Sequence, residues 1–219
     1  TDGRNPANVC LVVTSPLNGT PVPSAGGRCE VMGVGVGMYP VSWFTRSGFG
    51  GRFSTMLKHA GWDAIVIEGR ASSPVWVDIR NRRVEIKDAS GLWGKDTWTT
   101  QQEIWAMVGA ARGADTGWWD LNASAEEALD PLRDQGRTTQ KPAVLTIGPA
   151  GENQTAAGSL IHDAGNGAGQ GGFGAVWGSK NLKAISVIGT GEIAVADPEA
   201  LLRARQVTKD KYVTDIRQP

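Results

Sequence analysis

A chain of 219 residues with 22 basic and 22 acidic side chains carries no formal net charge, which argues against nucleic acid as a partner, because its binders show a clustered basic excess. With 40% hydrophobic residues the composition is globular, and a chain this long buries about 70% of its unfolded surface without needing a staple. No apolar run approaches the ~18 residues of a membrane-spanning helix, and two cysteines, Cys10 and Cys29, are too few for a disulfide framework, a zinc site or an iron–sulfur cluster.

Along the chain, short apolar runs predict strands at Cys10–Thr14 and Ala64–Glu68. A hairpin follows, Pro74–Ile79 and Arg83–Ile86 around Arg80-Asn81-Arg82. Asp96 to Ala111 spaces Ile104, Met107, Val108 and Ala111 for a helix, with Thr97 or Thr99 able to cap it. Residues 113–141 differ from their flanks and are expected to form an insertion of one short helix and loops, carrying Trp118-Trp119 and the helix-start pattern Ser124-Ala-Glu-Glu. Val144–Ile147 and Ala184–Ile188 predict two further strands. Asp197-Pro198-Glu199 is a helix start, with an acid at the N-cap, proline in the first turn and a second acid behind it. That helix runs toward Lys211 and reads as the beginning of a further unit, after a β-rich body that ends near Gly189. The opening TDGRNP lacks an initiating Met, so the chain reads as a piece of a longer polypeptide. No basic segment leads an apolar one, so a cytoplasmic setting is expected.

Glycine supplies 30 residues, about twice the ordinary ~7%. The glycines gather at Gly26–Gly27, Gly33–Gly37, Gly48–Gly51 and Gly165–Gly178. Within the last cluster, Gly167-Ala-Gly-Gln-Gly-Gly172 spells a dinucleotide fingerprint. The fingerprint should follow a strand, open a helix and precede an acid about 20 residues on, and the continuing Ala175–Lys180 followed by a strand argues against it. A tight run of unhindered N–H groups still makes an anion-binding concavity, with Lys180 and Lys183 nearby. A loop that needs only positive φ is the competing explanation. Gly26-Gly27-Arg28 and Arg46–Arg52 each pair glycines with a guanidinium, a planar fork suited to phosphate. Three such loops in one domain point to a phosphate-bearing ligand. The two histidines, His59 and His162, lie near no nucleophile. His162-Asp163 could act as an acid–base pair, but a surface or structural histidine is the better reading.

Ordered blocks carry a family resemblance. Ser15-Pro-Leu-Asn-Gly-Thr20 with Gly26-Gly-Arg28, Leu57–Gly69, Val84–Lys95, Ile147–Asn153 and Gly171–Ala184 resemble the tungsten-dependent aldehyde:ferredoxin oxidoreductases over most of residues 9–190. The resemblance implies an α+β fold: a β-rich cofactor-base domain of two sheets with few helices over 1–190, followed at 191–219 by the first helix of a truncated helical domain. It implies a tungsten bis-pterin cofactor with magnesium bridging the pterin phosphates. The cofactor contacts carry over to Arg28, to Arg46, Ser47 and Gly48, and to Asn166, Gly167, Ala168, Gly169 and Gln170.

The chain departs from the family at two of these loops. Asn166 and Gln170 stand where relatives have arginines, and the family's middle-loop Asn falls on Arg46 or Gly48. Arg46 and Arg52 are the candidates to restore the lost charge. The function implied is the cofactor-binding part of an enzyme oxidising aldehydes to carboxylic acids, with a 4Fe–4S cluster held outside this segment. The partners implied are the remaining helical domains or a companion chain, a ferredoxin-like electron acceptor and an oligomer, with neither nucleic acid nor membrane. Two alternatives stand beside it: a scaffold that keeps the fold without the cofactor, and a related aromatic-ring CoA thioester reductase.

Overall fold

Alternation of buried and part-exposed residues builds the first sheet. In β1 (Cys10–Thr14) Cys10 and Val12 point inward, and in β2 (Cys29–Val34) Cys29 and Val31 do the same. With β3 (Phe44–Phe49) and β4 (Ala64–Ile67) these strands form an antiparallel sheet in the order β3-β2-β1-β4. The computed structural model describes residues 2–23, 26–37, 40–109, 119–120, 137–138, 141–163 and 165–214.

The second sheet has six strands. β5 (Val75–Arg80) and β6 (Arg83–Asp88) form the expected hairpin, turning at Asn81, whose φ of 52° suits a left-handed turn. Between them and the far edge come α2 (Thr97–Gly109), the two-residue ribbon β7 (Trp119–Asp120) with β8 (Arg137–Thr138), and β9 (Ala143–Thr146). Then follow β10 (Leu160–His162), β11 (Asn166–Ala168) and β12 (Leu182–Ile188), in the sheet order β11-β10-β9-β12-β5-β6. Among the described neighbouring strands of this sheet, the β12–β5 pair alone is parallel. Every residue of β12 is buried, because both faces of this central strand are covered.

The main core lies between the sheets. Val12, Val31 and Phe49 meet Leu145, Ile185 and Val187, joined by Phe53 and Leu57 of α1 (Phe53–His59). A smaller core on the outer face of the second sheet packs Trp76, Val144 and Ile188 against Ile104 and Val108 of α2. Asp96, rather than Thr97 or Thr99, caps α2: its carboxylate accepts from the N–H groups of Trp98 and Thr99 at 2.8 and 2.9 Å. The helix-start pattern at Ser124 and the residue Trp118 lie outside the described residues.

The glycine-rich stretch does follow a strand and open a helix, contrary to the sequence expectation. β11 passes through a 3-10 turn, Gln170–Gly172, into α4 (Phe173–Ser179). It still differs from the dinucleotide unit, because β9, β10 and β11 are successive antiparallel neighbours and no parallel crossover is made. All seven residues of α4 are buried. Its glycines admit the neighbouring helix α3 (Pro149–Glu152): a Cβ on Gly178 would stand 2.0 Å from the Gly151 carbonyl oxygen.

Lys180 and Lys183 are also placed differently from expectation. Both are buried. Lys180 donates to the carbonyls of Pro6 and Gly69, and Lys183 to those of Lys95 and Ile147 and to the Glu152 carboxylate. The final helix α5 (Pro198–Lys209) starts at the Asp197 cap as expected and continues into a π-helical turn, Asp210–Thr214. None of its residues is buried.

Candidate functional site

Two of the glycine clusters, Gly26–Gly27 and Gly48–Gly51, converge at the first sheet, with Asn166 of the last cluster beside them. An open cleft of about 370 Å³ is lined by Ser15, Asn18, Gly26, Gly27, Arg28, Gly50 and Gly51. Two loops meet here backbone to backbone: a Cβ on Gly27 would lie 1.8 Å from the Gly51 carbonyl oxygen. No side chain fits between them. Asn18 holds the floor. It is buried, and its amide donates to the Arg28 carbonyl at 2.7 Å and to the Ser54 hydroxyl at 2.8 Å. The backbone of Arg28 is therefore fixed while its side chain is exposed. Among the described residues the Arg28 guanidinium has neither a hydrogen-bond nor an ion-pair partner. It lies over Gly48, whose Cβ would stand 2.7 Å from the nearest guanidinium nitrogen.

The other expected positions fall as follows. Gly48 pairs with Glu30 across β2 and β3, and Arg46 is bound to that same Glu30 at 3.3 Å while remaining 70% exposed. The second oxygen of Glu30 is buried without a hydrogen-bond partner. Ser47 points to the other side of β3, where its buried hydroxyl accepts the N–H of Gln170 at 3.1 Å and ties β3 to the glycine-rich loop. Asn166 stands against the cleft lip, its side-chain amide 3.1 Å from where a Gly50 Cβ would be and 3.0 Å from that of Gly51. Gly167, Gly169 and Gln170 are exposed, whereas Ala168 is wholly within the core, leaving only its backbone free to face a ligand. The loops separated by more than 100 residues in sequence are thus in contact.

Arg52 does not serve as a free cation. Its guanidinium binds Asp163 through two nitrogens at 3.1 and 3.2 Å and the carbonyl of Pro142 at 2.9 Å. Burial raises the Asp163 carboxyl, but hydrogen bonds and charge from His162 and Arg52 outweigh it and hold the group below the usual carboxylate range. His162 is buried, and its Nδ1 lies 2.9 Å from the Val144 carbonyl. Ser15 and Asn18 line the cleft outside the expected contacts, whereas Gly50 and Gly51 fall within the Arg46–Arg52 loop that pairs glycines with a guanidinium. Asn18 sits inside a quoted motif, but only the fold reveals that it anchors Arg28. Cys10 and Cys29 are buried free thiols, and burial pushes each up to about 12, so neither is a thiolate ligand at neutral pH. Among the described residues no group of His, Cys, Asp and Glu is arranged to hold a metal ion.

Residues 1–189 match the family described as "Aldehyde ferredoxin oxidoreductase, N-terminal domain". The chain is 36% identical over 202 residues to the tungsten-containing aldehyde ferredoxin oxidoreductases of Pyrococcus furiosus and Thermococcus kodakarensis, covering 92% of this chain and 28% of each relative. It therefore spans just over a quarter of their length. It is 34% identical over 137 residues to an aliphatic sulfonate oxidoreductase, WOR-like subunit, of Pyrococcus furiosus, covering 63% of this chain and 19% of the relative. Among solved structures it resembles the active site complex BamBC of benzoyl coenzyme A reductase, with a TM-score of 0.80 and 28% identity, over 100% of this chain and 28% of that one.

Proposed function

The chain belongs to the aldehyde ferredoxin oxidoreductase family, over that family's N-terminal domain, and on this premise we propose that it is the base holding a phosphate-bearing tungsten bis-pterin cofactor. The observation that carries the reading is Arg28: an anchored backbone, an unpartnered guanidinium and an open cleft walled by glycine amides. Such a site suits an anion of matching size. The fit extends to Gly48, where an added Cβ would stand 2.7 Å from the free Arg28 guanidinium and 2.8 Å from Glu30 Oε1, the carboxylate oxygen that Arg46 binds. A phosphate accompanied by magnesium presents both charges such a pair would meet. Arg28 would take the phosphate, the Gly50 and Gly51 backbone would let it approach, and Asn166 and the Gly167–Gln170 loop would add neutral donors. Arg46 is available at the rim but shared with Glu30, and Ser47 acts by holding Gln170 in place.

When bound, such a group supplies the two-electron chemistry by which an aldehyde and water become a carboxylic acid. In this reading a 4Fe–4S cluster and a ferredoxin-like acceptor would receive the electrons, the cluster held by helical domains, of which α5 would be the first element, or by a companion chain. An oligomer in the cytoplasm is part of the same proposal. Among the described residues no helix is long and apolar enough to cross a membrane. The likeness to the benzoyl coenzyme A reductase complex supports a second reading, reduction of an aromatic-ring CoA thioester on the same base. The test is tungsten and pterin analysis of the protein purified from cells supplied with tungstate. Tungsten and pterin in fixed proportion to protein are expected, and a protein free of both would leave only a scaffold role.

A further inference from the structure

Behind the Gly50–Gly51 lip lies a histidine with no exposed surface. His162 Nδ1 is 2.9 Å from the Val144 carbonyl, which only accepts, so this nitrogen carries a hydrogen. The other ring nitrogen, Nε2, has two neighbours of opposite kind: the backbone N–H of Arg52 at 3.2 Å and Asp163 Oδ2 at 3.0 Å. A bare Nε2 accepts from Arg52 and opposes Asp163. A protonated Nε2 donates to Asp163 and opposes the Arg52 N–H. One proton decides between them.

The surroundings leave the ring few other choices. Phe49 and Phe53 stand edge-on to it, with ring centres 6.4 and 5.8 Å away. On β11 the residue paired with it is the neutral Asn166. The charged groups facing it among the described residues are therefore Asp163 and Arg52. Gly51, with φ of +86°, lies so close that a Cβ there would be 2.6 Å from His162 Cδ2. The lip is thus seated directly on the ring.

We propose that His162 is a positioning residue for the cleft. Its unprotonated Nε2 pins the Arg52 amide, and with it the Gly50–Gly51 lip; protonation transfers Nε2 to Asp163 and releases the lip. Anion binding then weakens once the ring has taken up its second proton. This consequence rests on reading the cleft as an anion seat, but the pin itself does not.

Hydrogen exchange at the Arg52 amide, corrected for intrinsic chemistry, tests the pin in the purified protein, in His162→Gln and in His162→Leu. Glutamine offers a carbonyl acceptor that does not titrate. The wild-type amide should exchange roughly tenfold faster at about pH 5 than at about pH 8, a change expected for losing one hydrogen bond to a titrating histidine. His162→Gln should hold the amide equally at both, and His162→Leu should lose it at both. Should the Leu form not fold, the wild-type and Gln forms decide. An unchanging wild-type amide, or the same pH dependence in the Gln form, overturns the pin. Inorganic sulfate, whose charge is constant over this window, is titrated alongside and should bind several-fold more weakly at the lower pH in the wild type alone. Sulfate binding that ignores both pH and His162 overturns the positioning role. If no form binds sulfate, the anion-seat reading fails and the positioning role with it, while the exchange data still judge the pin.

Discussion

At the scale of single residues, charge is what the proposed site is short of. Asn166 and Gln170 offer neutral donors where the resemblance implies arginines, and Arg52, the candidate to compensate, is held by Asp163. Restoring charge with Asn166→Arg and Gln170→Arg should tighten sulfate binding by roughly fivefold, since charge-assisted hydrogen bonds are about twice as strong as neutral ones; isothermal titration reads this directly. The Arg52–Asp163 pair makes a separate prediction about stability. The folded Asp163 carboxyl lies below its usual range, so its contribution is complete above the unfolded value of about 3.9 and is lost as pH falls below that. Urea unfolding of Asp163→Asn should show a loss of roughly 2 kcal/mol at neutral pH that narrows toward pH 3. A deficit that stayed constant across that range would contradict the assignment. Arg28 was legible from the sequence because glycines and a guanidinium stood together. The engagement of Arg52 was not, because its partner lies 111 residues away.

At the scale of elements, strands announced by β-branched alternation were legible: β1, β4, the β5–β6 hairpin, β9 and β12 all form where the pattern places them. β3 was not, because Thr-Arg-Ser-Gly offers no apolar alternation; its strand character comes from pairing with β2 and from Phe49 in the core. α4 was hidden for a different reason. Two glycines in seven residues, Phe173–Ser179, lower helix propensity, and the loss is offset by complete burial and close contact with α3. Glycine density in the sequence points to a ligand, and part of it serves this helix contact instead. Gly178→Ala should therefore destabilise the fold by roughly 1–3 kcal/mol through overpacking, visible as a lowered urea midpoint, without changing sulfate affinity. An unaltered midpoint would show that the two helices separate easily.

At the scale of the whole molecule, two sheets enclose one core and bring three remote glycine loops together. Family membership was legible from ordered blocks spread over the chain; the shared location of the loops needed the fold, because β11 follows β3 by more than 100 residues and meets it only in space. The two cysteines are buried in the core and protonated, so the 219-residue chain by itself should oxidise no aldehyde, and measurable turnover with an artificial electron acceptor would contradict that division of labour. The central claim is that Arg28 holds the anionic end of a tungsten-bearing cofactor. Its most direct measurement is the tungsten content of Arg28→Ala beside that of the wild type, both purified from tungstate-supplied cells and both checked for thermal stability. Among the described residues the Arg28 guanidinium has no partner, so an unchanged melting temperature and a tungsten content reduced about tenfold are expected, the loss of one charge-assisted contact; equal tungsten in the two proteins, or an Arg28→Ala form that unfolds, would contradict it.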